Sequence, residues 1–75
     1  GSDGDALAVI HTAIIGTSSV AMGVAYGAFG AAIASRGAPH PVAAGAVALG
    51  FAAVGTLHGA RLGEDTVYLL KQFGV

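Results

Sequence analysis

Charge is what this chain has least of. Only 9% of its 75 residues are Asp, Glu, Lys or Arg, against the roughly 25–35% that clothes a soluble surface. A globular domain of this length that folds in water is therefore excluded, because its small core needs a polar cover. Cysteine is absent, which removes disulfide staples and thiolate metal sites. Lys and Arg together number 3 and the formal net charge is −1. That argues against nucleic acid as a partner, since counterion release requires clustered cations. The chain does not begin with Met, which fits a removed targeting segment, a fragment or a Gly-Ser cloning scar.

What fills the space is apolar. Hydrophobic residues make up 55% of the chain and the mean hydropathy is +0.78. No charge falls between Asp5 and Arg36, and none between Arg36 and Arg61. The first gap, Ala6 to Ser35, makes a helix about 45 Å long at 1.5 Å per residue. The second, Gly37 to Ala60, is about the length that crosses a bilayer core. The pattern predicts one all-α unit over residues 1–75, an integral membrane hairpin of two transmembrane helices. Helix one is expected over 6–35, a turn over 36–41, helix two over 42–62 and an interfacial tail over 63–75. Asp3 or Asp5 suits the first N-cap. Gly37 suits a left-handed C-cap and Pro41 the first turn of helix two. Gly63 is expected to break helix two, with Glu64 and Asp65 marking the water boundary. Beyond them Leu69, Leu70 and Phe73 share the apolar face of a short interfacial helix over 66–73.

Small residues recur in order. Gly16, Ser19, Gly23, Gly27, Gly30 and Ala34 are three or four residues apart, as are Gly45, Ala48, Ala52, Gly55, Gly59 and Gly63. Such seams let two helix backbones approach closely, which is how membrane helices associate. A bulky face on helix one (His11, Ile15, Ser18, Met22, Tyr26, Phe29, Ile33) is expected to point well away from that seam, toward lipid or a partner. Phe51, Val54, His58 and Leu62 form a comparable face on helix two.

Ligand chemistry falls to histidine. Neutral imidazole can bind haem iron or the magnesium of a chlorophyll. His58 is the first candidate, since Gly55 and Gly59 beside it leave room for a flat macrocycle. His11 is the second, and His40 in the turn is read as solvated. Counted from the turn at 1.5 Å per residue, His11 lies about 37 Å away and His58 about 25 Å, so one iron bridging both is disfavoured. No carboxylate lies inside either run, so the chain lacks the essential acid of a rotor subunit of the ATP synthase c type. Ser18 and Ser19 have no acid–base partner in reach, and no GxxxxGK[ST] loop occurs. The chain is not expected to be an enzyme.

The stretch Ala32-Ile33-Ala34-Ser35-Arg36-Gly37 resembles the end of the first helix of the PsaK-type subunits of photosystem I. Ala43-Ala44-Gly45-Ala46-Val47 is similar to the small-residue second helix of those subunits. The chain differs in its shorter turn and its polar tail. The resemblance implies two transmembrane helices, a thylakoid location, bound chlorophyll and carotenoid, and no reaction of its own. The expectation is a small non-catalytic accessory subunit of a larger membrane energy-converting complex, with other membrane subunits and lipids as partners. The alternatives are a pore-forming peptide of the holin or bacteriocin kind, and a homo-oligomeric ring subunit.

Overall fold

The structure is a computed structural model that describes residues 2–37 and 40–75. Ala38 and Pro39, in the expected turn, lie outside the described residues, as does Gly1. The chain forms two antiparallel helices, α1 (Ser2–Gly37) and α2 (Pro41–Gln72), in a hairpin about 55 Å long and 19 by 12 Å across. Both are long and apolar enough to cross a membrane. Only 6% and 11% of their apolar windows are buried within the hairpin.

The helix ends differ from those expected. α1 begins at Ser2, so Asp3 and Asp5 lie within its first turn rather than at its cap. Their carboxylates still oppose the positive end of the helix dipole, and Arg36 occupies the last turn at the negative end. Gly37 stays helical, and positive φ among the described residues occurs at Gly74. His40 is not merely solvated. It is the N-cap of α2: its extended backbone precedes Pro41, and its Nδ1 accepts the Ala43 N–H at 3.3 Å. Its carbonyl accepts the Ala44 N–H at 3.1 Å.

α2 does not break at Gly63. It runs unbroken to Gln72, so the separate tail helix over 66–73 is part of α2. Glycine inside a helix costs about 1 kcal/mol relative to alanine, but here it brings α2 onto the backbone of α1. A Cβ on Gly63 would lie 2.7 Å from Ile15 Cα. The glycine that stops the helix is Gly74, at φ 80°, whose N–H bonds the Lys71 carbonyl at 3.1 Å.

Packing alternates between the two halves of the hairpin. Toward the turn the small residues belong to α1. A Cβ on Gly30 would lie 2.6 Å from Phe51 Cβ, and one on Gly27 3.2 Å from Ala52 Cβ. Toward the termini they belong to α2. A Cβ on Gly55 would lie 2.6 Å from Tyr26 Cβ, and one on Gly59 would strike the Ser18 carbonyl. Each helix thus supplies notches for the other's bulk. The bulky face of α1 does not point away as a whole. Met22 and Tyr26 set their side chains against the notches of α2 and Ile15 and Ser18 meet them through their backbones, while Phe29 and Ile33 remain exposed. The reason is drift. An α-helix has 3.6 residues per turn, whereas a shared seam repeats every 3.5, so the contact stripe creeps round each helix. For the same reason Gly16 and Gly45, at the outer ends of the seam, have nothing within 4 Å of a Cβ.

Candidate functional site

The interhelix register defines an apolar band. Gly59 lies against Ser18, so Arg61 stands nearly level with Gly16 and Thr17. From there to Arg36 along α1 is about 28 Å at 1.5 Å per residue. That is close to the roughly 30 Å of a bilayer hydrocarbon core. No Asp, Glu, Lys or Arg falls inside the band. Beyond Arg61 both helices project further, and α2 there carries Glu64, Asp65 and Lys71.

Three hydroxyls inside the band are tied to their own helix. Ser19 Oγ donates to the Ile15 carbonyl at 2.8 Å, and Thr56 Oγ1 to the Ala52 carbonyl at 2.8 Å. Ser35 Oγ, at the turn edge, donates to the Ala32 carbonyl at 2.8 Å. Bonding to the preceding turn is how hydroxyls are accommodated where water is absent. Among the described residues, no buried side-chain nitrogen or oxygen lacks a partner.

One flank is aromatic. Phe29 of α1 meets Phe51 of α2 with ring centroids 5.8 Å apart and planes tilted by 59°. Tyr26 stacks on His58 at 6.0 Å and 28°. Side chains on a helix lean toward its N-terminus. In an antiparallel pair Tyr26 therefore leans toward the termini and His58 toward the turn, and their rings meet. Beside them an open groove of about 460 Å³ is lined by Tyr26, Val47, Gly50, Phe51 and Val54. A recess of about 430 Å³ adjoins it between Ala25, Tyr26, Phe29 and Phe51. His58 continues the α2 side of this flank, one turn beyond Val54.

The histidines are not brought together. His11 is half-buried near the termini, and its Nε2 lies 3.1 Å from the Val75 carbonyl oxygen. His58 is exposed on the flank, roughly 13 Å from the level of His11 by residue rise. His40 is at the turn. Among the described residues no three of His, Cys, Asp or Glu gather as a metal cluster. The room expected beside His58 is taken: Gly55 and Gly59 are buried beneath Tyr26, Met22 and Ser18. Open space lies on the outer side of His58 instead. The Tyr26–His58 pairing has no signal in either run read alone, because it depends on the register between the helices.

The fold is an all-α helical hairpin. No protein-family model matches this chain, and no curated protein or solved structure does so either.

Proposed function

We propose that this chain is a membrane-embedded, non-catalytic accessory subunit that fills a peripheral site of a larger energy-converting complex. The single observation behind this is the pairing of an uncharged band with a largely uncovered apolar surface. Val20, Val24, Leu49 and Leu57 are each at least 66% exposed within or beside that band. Such a surface is stable against lipid or other membrane helices. The charged groups lie outside the band, which leaves a binding surface rather than a reaction centre.

The narrower form of the proposal places the subunit in photosystem I of the thylakoid membrane, with chlorophyll and carotenoid bound. It rests on the resemblance of residues 32–37 and 43–47 to PsaK-type subunits. In that form His58, and then His11, would ligate pigment metal. His58 has its outer side free for a ligand, whereas His11 already meets the Val75 carbonyl, so His58 is the better placed. Purification from the native membrane in mild detergent tests the proposal. Co-migration with a large complex supports it, and a coloured complex supports the photosynthetic form. A homo-oligomer would favour the ring alternative. A chain that runs alone and makes liposomes leak would favour the pore-forming one.

A further inference from the structure

Arg36 is set apart from every other charge of the chain. It stands in the last turn of α1, at the turn end of the hairpin. The carboxylates Asp3, Asp5, Glu64 and Asp65 all belong to the other end. The nearest, Glu64, follows the Gly63 that rests on Ile15, so about 30 Å of helix separates it from Arg36. That is several Debye lengths at physiological salt, and none of these carboxylates neutralises the guanidinium. The helix dipoles do not neutralise it either. At this end α1 contributes roughly −0.5 of an elementary charge and α2 roughly +0.5, so the two oppose each other. His40, the other ionisable side chain here, turns its Nδ1 to the Ala43 N–H and adds no negative charge. The counter-charge of Arg36 therefore comes from outside the chain.

The surface beside Arg36 is grooved. An open recess of about 470 Å³ is lined by Phe29, Ala32, Ile33, Arg36 and Gly37. Phe29, Ala32, Ile33 and Arg36 are spaced to follow one face of α1. The recess thus runs about 10 Å, or two turns, from the charge toward the middle of the band. We propose that it seats an anionic glycerophospholipid. The phosphate would pair with the Arg36 guanidinium, and an acyl chain would follow Ile33, Ala32 and Phe29. Charge complementarity argues for the head, since a planar guanidinium matches phosphate oxygens two at a time. Depth argues for the chain. Arg36 closes the uncharged band, which is where lipid phosphates lie when that band fills the hydrocarbon core. A free phosphate leaves the apolar part of the recess empty, and an acidic peptide would carry its polar backbone into hydrocarbon to fill it. The groove beside Tyr26 and Phe51 has no charged residue in its lining and selects no such head. The inference rests on the reading of the chain as membrane-embedded, and it does not require a partner subunit.

The test uses the full chain, labelled with ¹⁵N-arginine, in phosphatidylcholine nanodiscs that contain a rising fraction of phosphatidylglycerol. Arg36 and Arg61 give separate side-chain Nε signals. The expected result is a saturable shift of Arg36, while Arg61, which has Glu64 and Asp65 within a turn of it, drifts without saturating. Association of spin-labelled phosphatidylglycerol, read by electron paramagnetic resonance, should fall about tenfold in Arg36→Gln, the worth of one charge-assisted contact, and stay unchanged in Arg61→Gln. Ala32→Phe keeps the charge but fills the apolar part of the recess, so it should also weaken association severalfold. Both sites are exposed, and unchanged helicity by circular dichroism shows that the hairpin is intact. Equal shifts of the two arginines, a shift that does not saturate, or full association in Ala32→Phe means diffuse attraction and overturns the proposal. An equal saturable response to soluble glycerol phosphate also overturns it, in favour of a free anion. An Arg36 signal unmoved by lipid does the same, in favour of an acidic side chain of a neighbouring subunit. A chain that stays outside the discs overturns it together with the membrane reading. Failure of the accessory-subunit reading would show separately, as a chain that leaves its native membrane alone.

Discussion

At the scale of single residues, the glycines of this chain are not equivalent. Gly59 meets the Ser18 carbonyl and Met22 Cβ, whereas Gly16 meets nothing. Gly59→Leu should force the helices apart and cost at least the roughly 1–3 kcal/mol typical of overpacking. Gly16→Leu should change stability by less than about 0.5 kcal/mol. Helix-pair stability measured by steric trapping in bicelles checks both, and equal tolerance would mean that the close approach is wrong. The spacing of small residues made this seam legible in Gly23, Gly27, Gly55 and Gly59. It also included Gly16 and Gly45, because a periodic pattern carries no information about where two twisting stripes part. His40 is a second such residue. His40→Ala should cost about 1 kcal/mol as an N-cap loss, and His40→Asn should restore it. Hydrogen exchange at the Ala43 and Ala44 amides reads this directly: faster in the alanine variant, protected again in the asparagine one.

At the scale of elements, the continuity of α2 is the consequential finding. Gly63 lies between a run of apolar residues and the Glu64-Asp65 pair, which in one dimension reads as a helix end. In three dimensions the same glycine is where α2 rests on Ile15, and Val67 beyond it is buried at 6% exposure. Packing beyond Gly63 keeps the helix intact, since tertiary contact routinely overrides propensity. Amides from Asp65 to Leu70 should therefore exchange about as slowly as helical amides in contact with α1, with no sharp rise at Gly63. A step to fast exchange at Glu64 would restore the broken-helix description. The true stop, Gly74, is the described residue with positive φ. Gly74→Ala should destabilise the C-terminal turn by about 1 kcal/mol. It should also loosen the Val75 carbonyl from His11, measurable as a change in the His11 ring resonances.

At the scale of the whole molecule, the hairpin fixes which ends meet. The carbonyl of Val75 reaches His11, so both termini lie at one end and Arg36 at the other. In sealed vesicles, cysteines placed at Ser2 and Gly74 should label from the same side, and one at Arg36 from the opposite side. Labelling of Ser2 and Gly74 from different sides would exclude a spanning hairpin. Arg36 on one side and Arg61 with Lys71 on the other leave the positive-inside preference nearly balanced. The same experiment therefore also sets the orientation.

The sequence by itself determined the class of architecture. Two uncharged apolar runs, joined where Pro39 and Pro41 cluster, can satisfy their backbones without water only as helices, and a short join makes them antiparallel. It also marked His11 and His58 as the imidazoles of interest, because residue type is written in the chain. Tertiary structure decided everything that depends on register. It placed the bulky Met22 and Tyr26 against the notches of α2, and it filled the space beside Gly55 and Gly59. It also set the ring of Tyr26 against that of His58. The physical reason is that each helix seam, taken alone, fits a partner at several axial offsets. Only the interlocking of side chains from both helices, at van der Waals range, selects one.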